Sequence, residues 1–264
     1  MATGYSEGYV DAKGKRIHYS KWGVKGPNLL LLHSMGMDCH SMDALCEALQ
    51  GGYRILALSI LGHGDSEVPA SVPMLPEHAE AMREAARLLG YARYTLVGHS
   101  IGGMMGMILA ADHPGEVEGL VLVDIAPLDA SRSGRGPARA PPPESFSGEA
   151  EARAYLKERY SGFTPYYVEN RLRFAFRRDG GVLRLKPTGD SIRAGMNVDL
   201  WPYVERIRVR TLLLMGGRER RLVRGCCEDE EDGSGDRGGH GPWDGAHDPA
   251  GQAGGVRAAR PRVP

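Results

Sequence analysis

A serine in the middle of the chain stands in a sequence context that suits nucleophilic catalysis. Ser100 lies in GHSIG at 98–102, directly after a strand-like run at 94–97 and directly before a helix-like run at 101–113. A serine on a tight strand-to-helix turn adopts a strained backbone conformation that lifts its hydroxyl above the edge of a sheet. The amide at the start of the helix then points towards an oxyanion formed at that hydroxyl. The pattern and its flanks therefore predict Ser100 as the nucleophile of a covalent hydrolysis.

The elements that must position this serine alternate between strand-like and helix-like patterns. Short apolar runs are typical of strands that are buried on both faces of a parallel sheet. These runs are 28–33, 53–59, 94–97 and 119–124. Helical spacing separates them, and Ser41 is the predicted N-cap of the first helix. The helix-like segments are 41–50, 76–89 and 101–113. This alternation, preceded by a hairpin at 9–22, predicts an α/β fold with a mostly parallel, doubly wound sheet.

Residues 127–205 interrupt the alternation before the apolar run TLLLM at 211–215 resumes the sheet. The interruption opens with a linker rich in Pro, Gly, Arg and Ser, and helical patterns with a short hairpin follow. The predicted elements are helices at 147–159, 166–178 and 200–207 and a hairpin about 179–181. An insertion of roughly 80 residues between two core strands is most simply a lid. The predicted division is a core of residues 1–126 and 206–224, a lid of 127–205 and a low-complexity tail of 225–264.

Aromatic and basic side chains recur at helical spacing within this lid. The aromatic ones either line an apolar acyl pocket or pack inside the lid. They are Tyr166, Tyr167, Phe174, Phe176 and Trp201. The basic ones are predicted to form a solvated face. They are Arg171, Arg173, Arg177 and Arg178.

Four segments, in order along residues 8–224, resemble the α/β-hydrolase superfamily. GHSIG is similar to the family's nucleophile turn, and LLLLHSMGMD at 29–38 resembles its oxyanion loop. LSILGHGDS at 58–66 resembles the turn after the next strand, and LVLVDIAP at 120–127 resembles the strand that precedes the lid. The resemblance implies an α/β-hydrolase fold with a helical lid between two core strands. HSMGMD together with GHSIGGMMG is also similar to enol-lactone hydrolases of aromatic catabolism.

The resemblance also assigns roles to individual residues of a catalytic triad and an oxyanion hole. By that match, the backbone amides of Met35 and Ile101 bind the oxyanion. The acid of the triad is either Glu219, in the loop after TLLLM, or Asp124, at the end of the preceding core strand, and both placements stay open. Asp199, in the lid, is a more remote third candidate.

The general base of the family follows the last strand of the sheet, so it must be sought in the tail. The candidates in the tail are His240 and His247, and His247 is preferred because it lies farther from the end of the sheet and can fold back. The three histidines in the matched motifs are predicted to pack or to orient loops beside the site. They are His33, His63 and His99.

The tail, residues 225–264, does not have the composition of a final strand and closing helix. It contains no Leu, Ile, Phe, Met or Tyr, so nothing in it can fill a core face. Its codons, read one nucleotide out of register, permit a Gly-His turn followed by an amphipathic helix. We therefore interpret the C-terminal 40 or so residues as the product of a frameshift that begins near 218–226, with a natural disordered tail as the alternative. If a frameshift has replaced the segment that carries the general base, the oxyanion hole and substrate binding would still leave about 10³–10⁴-fold acceleration over water.

Composition excludes several other classes of protein. Lys+Arg and Asp+Glu both total 33, so no net charge favours nucleic acid or an anionic membrane as a partner. The four cysteines are too few for a disulfide scaffold, and the N-terminus has no apolar stretch of a signal peptide. No metal-ligand spacing is apparent in the sequence. We therefore expect a soluble, cytoplasmic protein without a metal or organic cofactor.

The predicted function is hydrolysis of carboxylic esters through an acyl-enzyme on Ser100, with a small ester or lactone as the substrate. Enol-lactone hydrolysis and carbon–carbon bond hydrolysis are alternatives on the same fold. Dehalogenases and epoxide hydrolases resemble this pattern but carry a carboxylate at the position of Ser100, which argues against them. An alternative of another class is a catalytically impaired protein that binds a ligand under the lid.

Overall fold

An eight-stranded sheet forms the centre of the structure, a computed structural model that describes residues 4–125, 141–215 and 220–223. Its strands are β1 (Tyr5–Ala12), β2 (Lys15–Trp22), β3 (Asn28–Leu32), β4 (Arg54–Leu58), β5 (Tyr94–His99), β6 (Val117–Val123), β9 (Thr211–Leu214) and β10 (Arg220–Val223). Their order across the sheet is β1-β2-β4-β3-β5-β6-β9-β10. The five strands from β4 to β9 run parallel, and β1, β2 and β10 pair antiparallel at the two edges.

The central strands are apolar because helices cover them on both faces. In β3 and in β4, every residue after the first is buried. The core helices are α1 (Asp43–Leu49), α2 (Leu75–Leu88) and α3 (Ile101–Asp112). Helix α3 is buried from Ile101 to Ala111 and contacts β5, β6 and α2. The mostly parallel, doubly wound α/β sheet predicted from the alternation is therefore confirmed.

The helix predicted at 41–50 begins differently from the sequence-based prediction. A 3₁₀-helix, Cys39–Met42, comes first, and α1 follows it directly. The carboxylate of Asp38 accepts from the amide of His40 at 3.1 Å, so Asp38 caps this segment. Ser41 is not an N-cap, because its hydroxyl donates to the carbonyl of Asp38 at 2.7 Å. The prediction was wrong here because an aspartate three residues upstream offers the same capping chemistry.

The lid lies between β6 and β9 in the chain and has an apolar cluster of its own. Its elements are α4 (Glu149–Arg159), α5 (Pro165–Phe174), β7 (Phe176–Asp179), β8 (Val182–Leu185), a 3₁₀-helix at Asp190–Met196 and α6 (Trp201–Val204). The side chains of the cluster are Phe146, Ala152, Leu156, Val168, Ala175, Phe176 and Leu183. The helix predicted at 166–178 ends at Phe174, because the next residues pair with β8 across a turn at Gly180 and Gly181, both with positive φ. In the described part of the chain, no helix is long and apolar enough to cross a bilayer.

Candidate active site

Ser100 occupies a strained turn between β5 and α3. Its backbone has φ of 51° and ψ of −114°, a conformation that residues with a side chain rarely adopt and that costs about 1–3 kcal/mol. The turn is held on both sides, because the Ser100 amide donates to Val123 at 3.0 Å and the Ser100 carbonyl accepts from Met104 at 3.0 Å. The side chain is half-buried, so its hydroxyl is not sealed in the core. This is the backbone geometry predicted for a nucleophile turn.

Two glycines allow the strand and the helix to approach each other at this turn. A Cβ atom on Gly98 would lie 2.4 Å from the carbonyl oxygen of Gly102. A Cβ atom on Gly102 would lie 2.2 Å from the carbonyl oxygen of Leu32, at the end of β3. Both contacts are with backbone, which cannot rotate away as a flexible side chain could. Glycine is therefore required at both positions for the helix to start where it does.

The loop after β3 carries Met35 to the same edge of the sheet as Ser100. Strands β3 and β5 are parallel neighbours, and Leu32 pairs with Gly98. The loop then turns sharply, with the amide of Met37 donating to the carbonyl of Ser34 at 3.1 Å and Gly36 at φ of 82°. Because the carboxyl ends of parallel strands meet at one edge, the Met35 loop and the first turn of α3 both lie beside the serine.

His33 ties this loop to the next one and has no free nitrogen. Its Nε2 accepts from the amide of Ile60 at 2.9 Å, and its Nδ1 contacts the carbonyl of Ser34 at 2.8 Å, which requires the Nδ1–H tautomer. Complete burial lowers the pKa of His33 to about 4. A neutral imidazole with both nitrogens engaged cannot accept a proton from Ser100, so His33 has a structural role.

The turn after β4, which contains His63, holds the lid. The turn and the lid exchange backbone hydrogen bonds, with the amide of Gly64 donating to Pro187 and the amide of Gly189 donating to Gly62, each at 2.9 Å. A Cβ atom on Gly189 would lie 2.1 Å from Nε2 of His63 and 2.6 Å from Sδ of Met35. Burial lowers the pKa of His63 to about 3, so this ring stays neutral. The start of the 3₁₀-helix at 190–196 therefore packs directly on the predicted oxyanion loop.

Of the two carboxylates left open as the acid of the triad, Asp124 is described by the structure. Asp124 is exposed, follows β6 directly, has φ of 50° and donates its amide to Leu214 at 2.7 Å. Because the preceding residue, Val123, accepts the Ser100 amide, Asp124 lies at the same sheet edge as the serine. Burial lowers the pKa of His99, and the Asp124 carboxylate acts on it in the opposite direction. Asp199 lies in the lid and accepts from the amide of Trp201 at 3.0 Å, at the start of α6.

Glu219, His240 and His247 lie outside the described residues. The structure therefore brings together Ser100, Ile101, Met35 and Asp124 at one edge of the sheet and leaves the placement of the base as a prediction.

Arg171 is not part of a solvated face, which corrects the sequence-based prediction for this residue. Its side chain is 4% exposed, and Nη1 lies 2.7 Å from Oδ2 of Asp38, whose side chain is 5% exposed. Nη2 also donates to the carbonyl of Gly36 in the predicted oxyanion loop at 3.3 Å. Arg173 and Arg177 are exposed, as predicted. Sequence reasoning missed the buried pair because 133 residues separate its members.

Two of the lid aromatics pack against neighbouring rings. Phe176 belongs to the apolar cluster of the lid and contacts Phe146 with ring centroids 5.4 Å apart. Phe174 stacks on the imidazole of His40 with ring centroids 3.7 Å apart and an angle of 9°. The tip of α5 therefore rests on the segment that follows the predicted oxyanion loop.

The comparisons with known proteins agree with this arrangement. The sequence matches the family described as alpha/beta hydrolase fold over residues 27–207. It is 33% identical over 132 residues to a fluoroacetate dehalogenase from Burkholderia. This match covers 48% of this chain and 43% of that protein. It is also 33% identical over 108 residues to an esterase from Mycobacterium tuberculosis. That match covers 40% of this chain and 36% of that protein. The matched segment thus spans less than half the length of either relative.

A solved structure shows the same fold at lower sequence identity. The structure of E-2-(acetamidomethylene)succinate hydrolase is similar with a TM-score of 0.69 and 22% identity, over 79% of this chain and 80% of that chain. At this identity the likeness extends to the fold and to nothing finer.

Proposed function

The chain belongs to the α/β-hydrolase fold family, and on that premise we propose that it is a serine hydrolase that cleaves carboxylic esters through an acyl-enzyme on Ser100. The observation that carries the proposal is the strained backbone of Ser100 between β5 and α3, with φ of 51°. Strain of this kind persists only where the surrounding structure enforces it, and it clusters at active sites. A serine at this position, rather than a carboxylate, favours ester cleavage over dehalogenation.

The proposed reaction runs in two halves. The Ser100 oxygen attacks the ester carbonyl carbon while a histidine takes the hydroxyl proton, and the amides of Met35 and Ile101 bind the oxyanion. The tetrahedral intermediate expels the alcohol, which receives the proton from the histidine. Water then gives a proton to the same histidine and attacks the acyl-enzyme carbonyl, and the histidine returns that proton to the Ser100 oxygen as the carboxylic acid is released. We propose His247 as this histidine, in line with the prediction from the sequence.

We propose Asp124 rather than Glu219 as the carboxylate that orients the histidine. Support comes from its position at the edge of the sheet that Ser100 occupies, one residue after the Val123 carbonyl that holds the serine amide. A carboxylate in this role selects the tautomer of the imidazole and stabilises the imidazolium that forms.

A fluorophosphonate probe tests the nucleophile directly, because it forms a covalent bond only with an activated serine. Intact-mass measurement is expected to show one adduct on the wild-type chain and none on Ser100→Ala. Ser191→Ala, which removes an exposed hydroxyl in the lid, is the matched control and is expected to label like the wild type. Folded wild-type protein that takes no label would instead indicate a ligand-binding protein without catalysis.

A small substrate panel separates the chemistries that the fold family can host. Short-chain aryl esters are expected to be turned over faster than enol-lactones, with no fluoride released from fluoroacetate. Faster turnover of enol-lactones would keep Ser100 as the nucleophile and change the substrate class. Fluoride release would exclude the proposed ester chemistry as the main activity.

The acid is tested by comparing Asp124→Asn with Glu219→Gln. Because the wrong imidazole tautomer blocks proton transfer, Asp124→Asn is expected to lower kcat by about 10³–10⁴-fold with little change in KM. Glu219→Gln is expected to change kcat by a few-fold at most. The opposite pattern, with a large loss in the glutamine variant alone, would assign the role to Glu219.

A further inference from the structure

Three buried side chains with metal-binding atoms lie close together near Phe174, at the C-terminal end of α5. They are His18 on β2 and Cys39 and His40 in the 3₁₀-helix, with 5%, 0% and 3% of their surfaces exposed. One nitrogen or sulfur atom from each lies within 4.8 Å of the others. Within the described ranges, this is the one group of three or more histidine, cysteine or acidic residues close enough to share an ion. None of the three takes part in the proposed ester hydrolysis.

The distances within the group suit tetrahedral zinc. Zinc binds nitrogen at about 2.0–2.1 Å and thiolate sulfur at about 2.3 Å, so neighbouring ligand atoms of a tetrahedron lie about 3.3–3.6 Å apart. Sγ of Cys39 lies 3.5 Å from Nδ1 of His18. The carboxylate of Glu7 approaches the group from β1, with Oε2 at 3.2 Å from Nε2 of His40. The three buried side chains offer one thiolate and two imidazoles, which leaves the fourth position of the ion to water, as in zinc sites with three protein ligands.

A second layer of contacts orients one of these ligands. Oδ2 of Asp43, which is 4% exposed, lies 3.2 Å from Nδ1 of His40 and also accepts from Nδ2 of Asn170 at 3.1 Å. A carboxylate on Nδ1 selects the tautomer whose Nε2 lone pair is available to a metal. Histidine ligands of zinc commonly have such a carboxylate partner. In this structure the partner is already in place.

A set of one sulfur and two nitrogen atoms suits zinc and does not suit magnesium or calcium, which take oxygen ligands.

We propose that Cys39, His18 and His40 bind one zinc ion. The half-exposed Glu7 side chain gives solvent a way in, and a cavity of about 320 Å³ lined in part by Asp43 and Phe174 lies beside the group. The ion joins β2 to the segment that directly follows the predicted oxyanion loop, so its role is to stabilise that segment. Sequence inspection missed the site because its ligands have no regular spacing.

Cobalt(II) is a spectroscopic probe for such a site, because it takes the place of zinc and gives a thiolate-to-metal charge-transfer band. The experiment uses the full chain with Cys226→Ser and Cys227→Ser to remove the two thiols of the tail. Addition of Co²⁺ is expected to give this band at one equivalent, and Zn²⁺ is expected to abolish it and to raise the Tm. Cys39→Ser is expected to lose both the band and the Zn²⁺-dependent rise in Tm.

Matched controls separate ligation from general disturbance of the core. Cys46→Ser and His78→Gln change a buried cysteine and a buried histidine outside the group, and both are expected to retain the band. Glu7→Gln and Asp43→Asn each change a carboxylate that contacts a ring nitrogen of His40. Each is expected to weaken Zn²⁺ binding by about 10–100-fold, the usual effect of losing an outer-shell partner. Equal metal binding by Cys39→Ser and its parent, or no band from the folded parent with reduced thiols, would overturn the proposal.

Discussion

Replacement of Ser100 by alanine is expected to lower kcat for the best ester substrate by about 10³–10⁶-fold, because the covalent route is lost and only binding and the oxyanion hole remain. Ser100→Gly is expected to lose activity equally. The two variants should differ in stability, because glycine accepts a φ of 51° that strains any residue with a Cβ atom. We expect Ser100→Gly to be more stable than Ser100→Ala by about 1–2 kcal/mol, as measured by urea unfolding.

The comparison of the two variants separates chemistry from backbone strain. Equal stability of Ser100→Gly and Ser100→Ala would mean that the turn is not strained as the structure indicates. Activity retained in both variants would mean that another group is the nucleophile. Ser191→Ala serves again as the control, with wild-type activity expected.

Replacement of Arg171 by methionine is expected to destabilise the fold by about 3–5 kcal/mol, because it leaves the Asp38 carboxylate buried without a counter-ion. Asp38 also caps the 3₁₀-helix through the amide of His40, so an uncompensated charge there disturbs the segment after the predicted oxyanion loop. Urea denaturation of Arg171→Met against the wild type measures the effect. The loss of unfolding free energy is expected to be smaller when Asp38→Asn is added to Arg171→Met, because the double variant no longer buries a charge without a partner.

The matched control for Arg171 is Arg177, an exposed arginine in β7. Arg177→Met is expected to change the free energy of unfolding by at most about 0.5 kcal/mol, as surface substitutions usually do. Similar losses in the two methionine variants, or a double variant no more stable than Arg171→Met, would contradict the assignment of a buried ion pair.

The core of the fold could be predicted from the sequence because its signals are local. The apolar runs that became β3 and β4 are short and continuous, as strands covered on both faces must be, and they ended within one residue of the predicted limits. The turn at Ser100 was predictable for the same reason, since Gly98 and Gly102 lie within a five-residue pattern. A Cβ atom at either position would collide with backbone, so the need for glycine is visible in the spacing of the pattern itself.

The features that sequence reasoning missed depend on contacts between distant parts of the chain. Asp38 and Arg171 are 133 residues apart, and only the packing of α5 on the predicted oxyanion loop brings them together. His18 and Cys39 likewise meet only because β2 lies beside β4 and the 3₁₀-helix packs on both. The sequence around an arginine in a helix, or around a single cysteine, does not indicate which distant residue it will contact in the folded protein.

The central claim, that Ser100 carries the acyl group during turnover, is tested most directly by trapping the intermediate. Acid quenching of the wild-type protein within the first turnovers of an aryl ester, followed by peptide mass spectrometry, is predicted to show the acyl mass on the peptide that contains Ser100. Asp124→Asn is predicted to show the same adduct forming more slowly. Turnover of the ester without an acylated Ser100, or with the acyl group on another residue, would contradict the account.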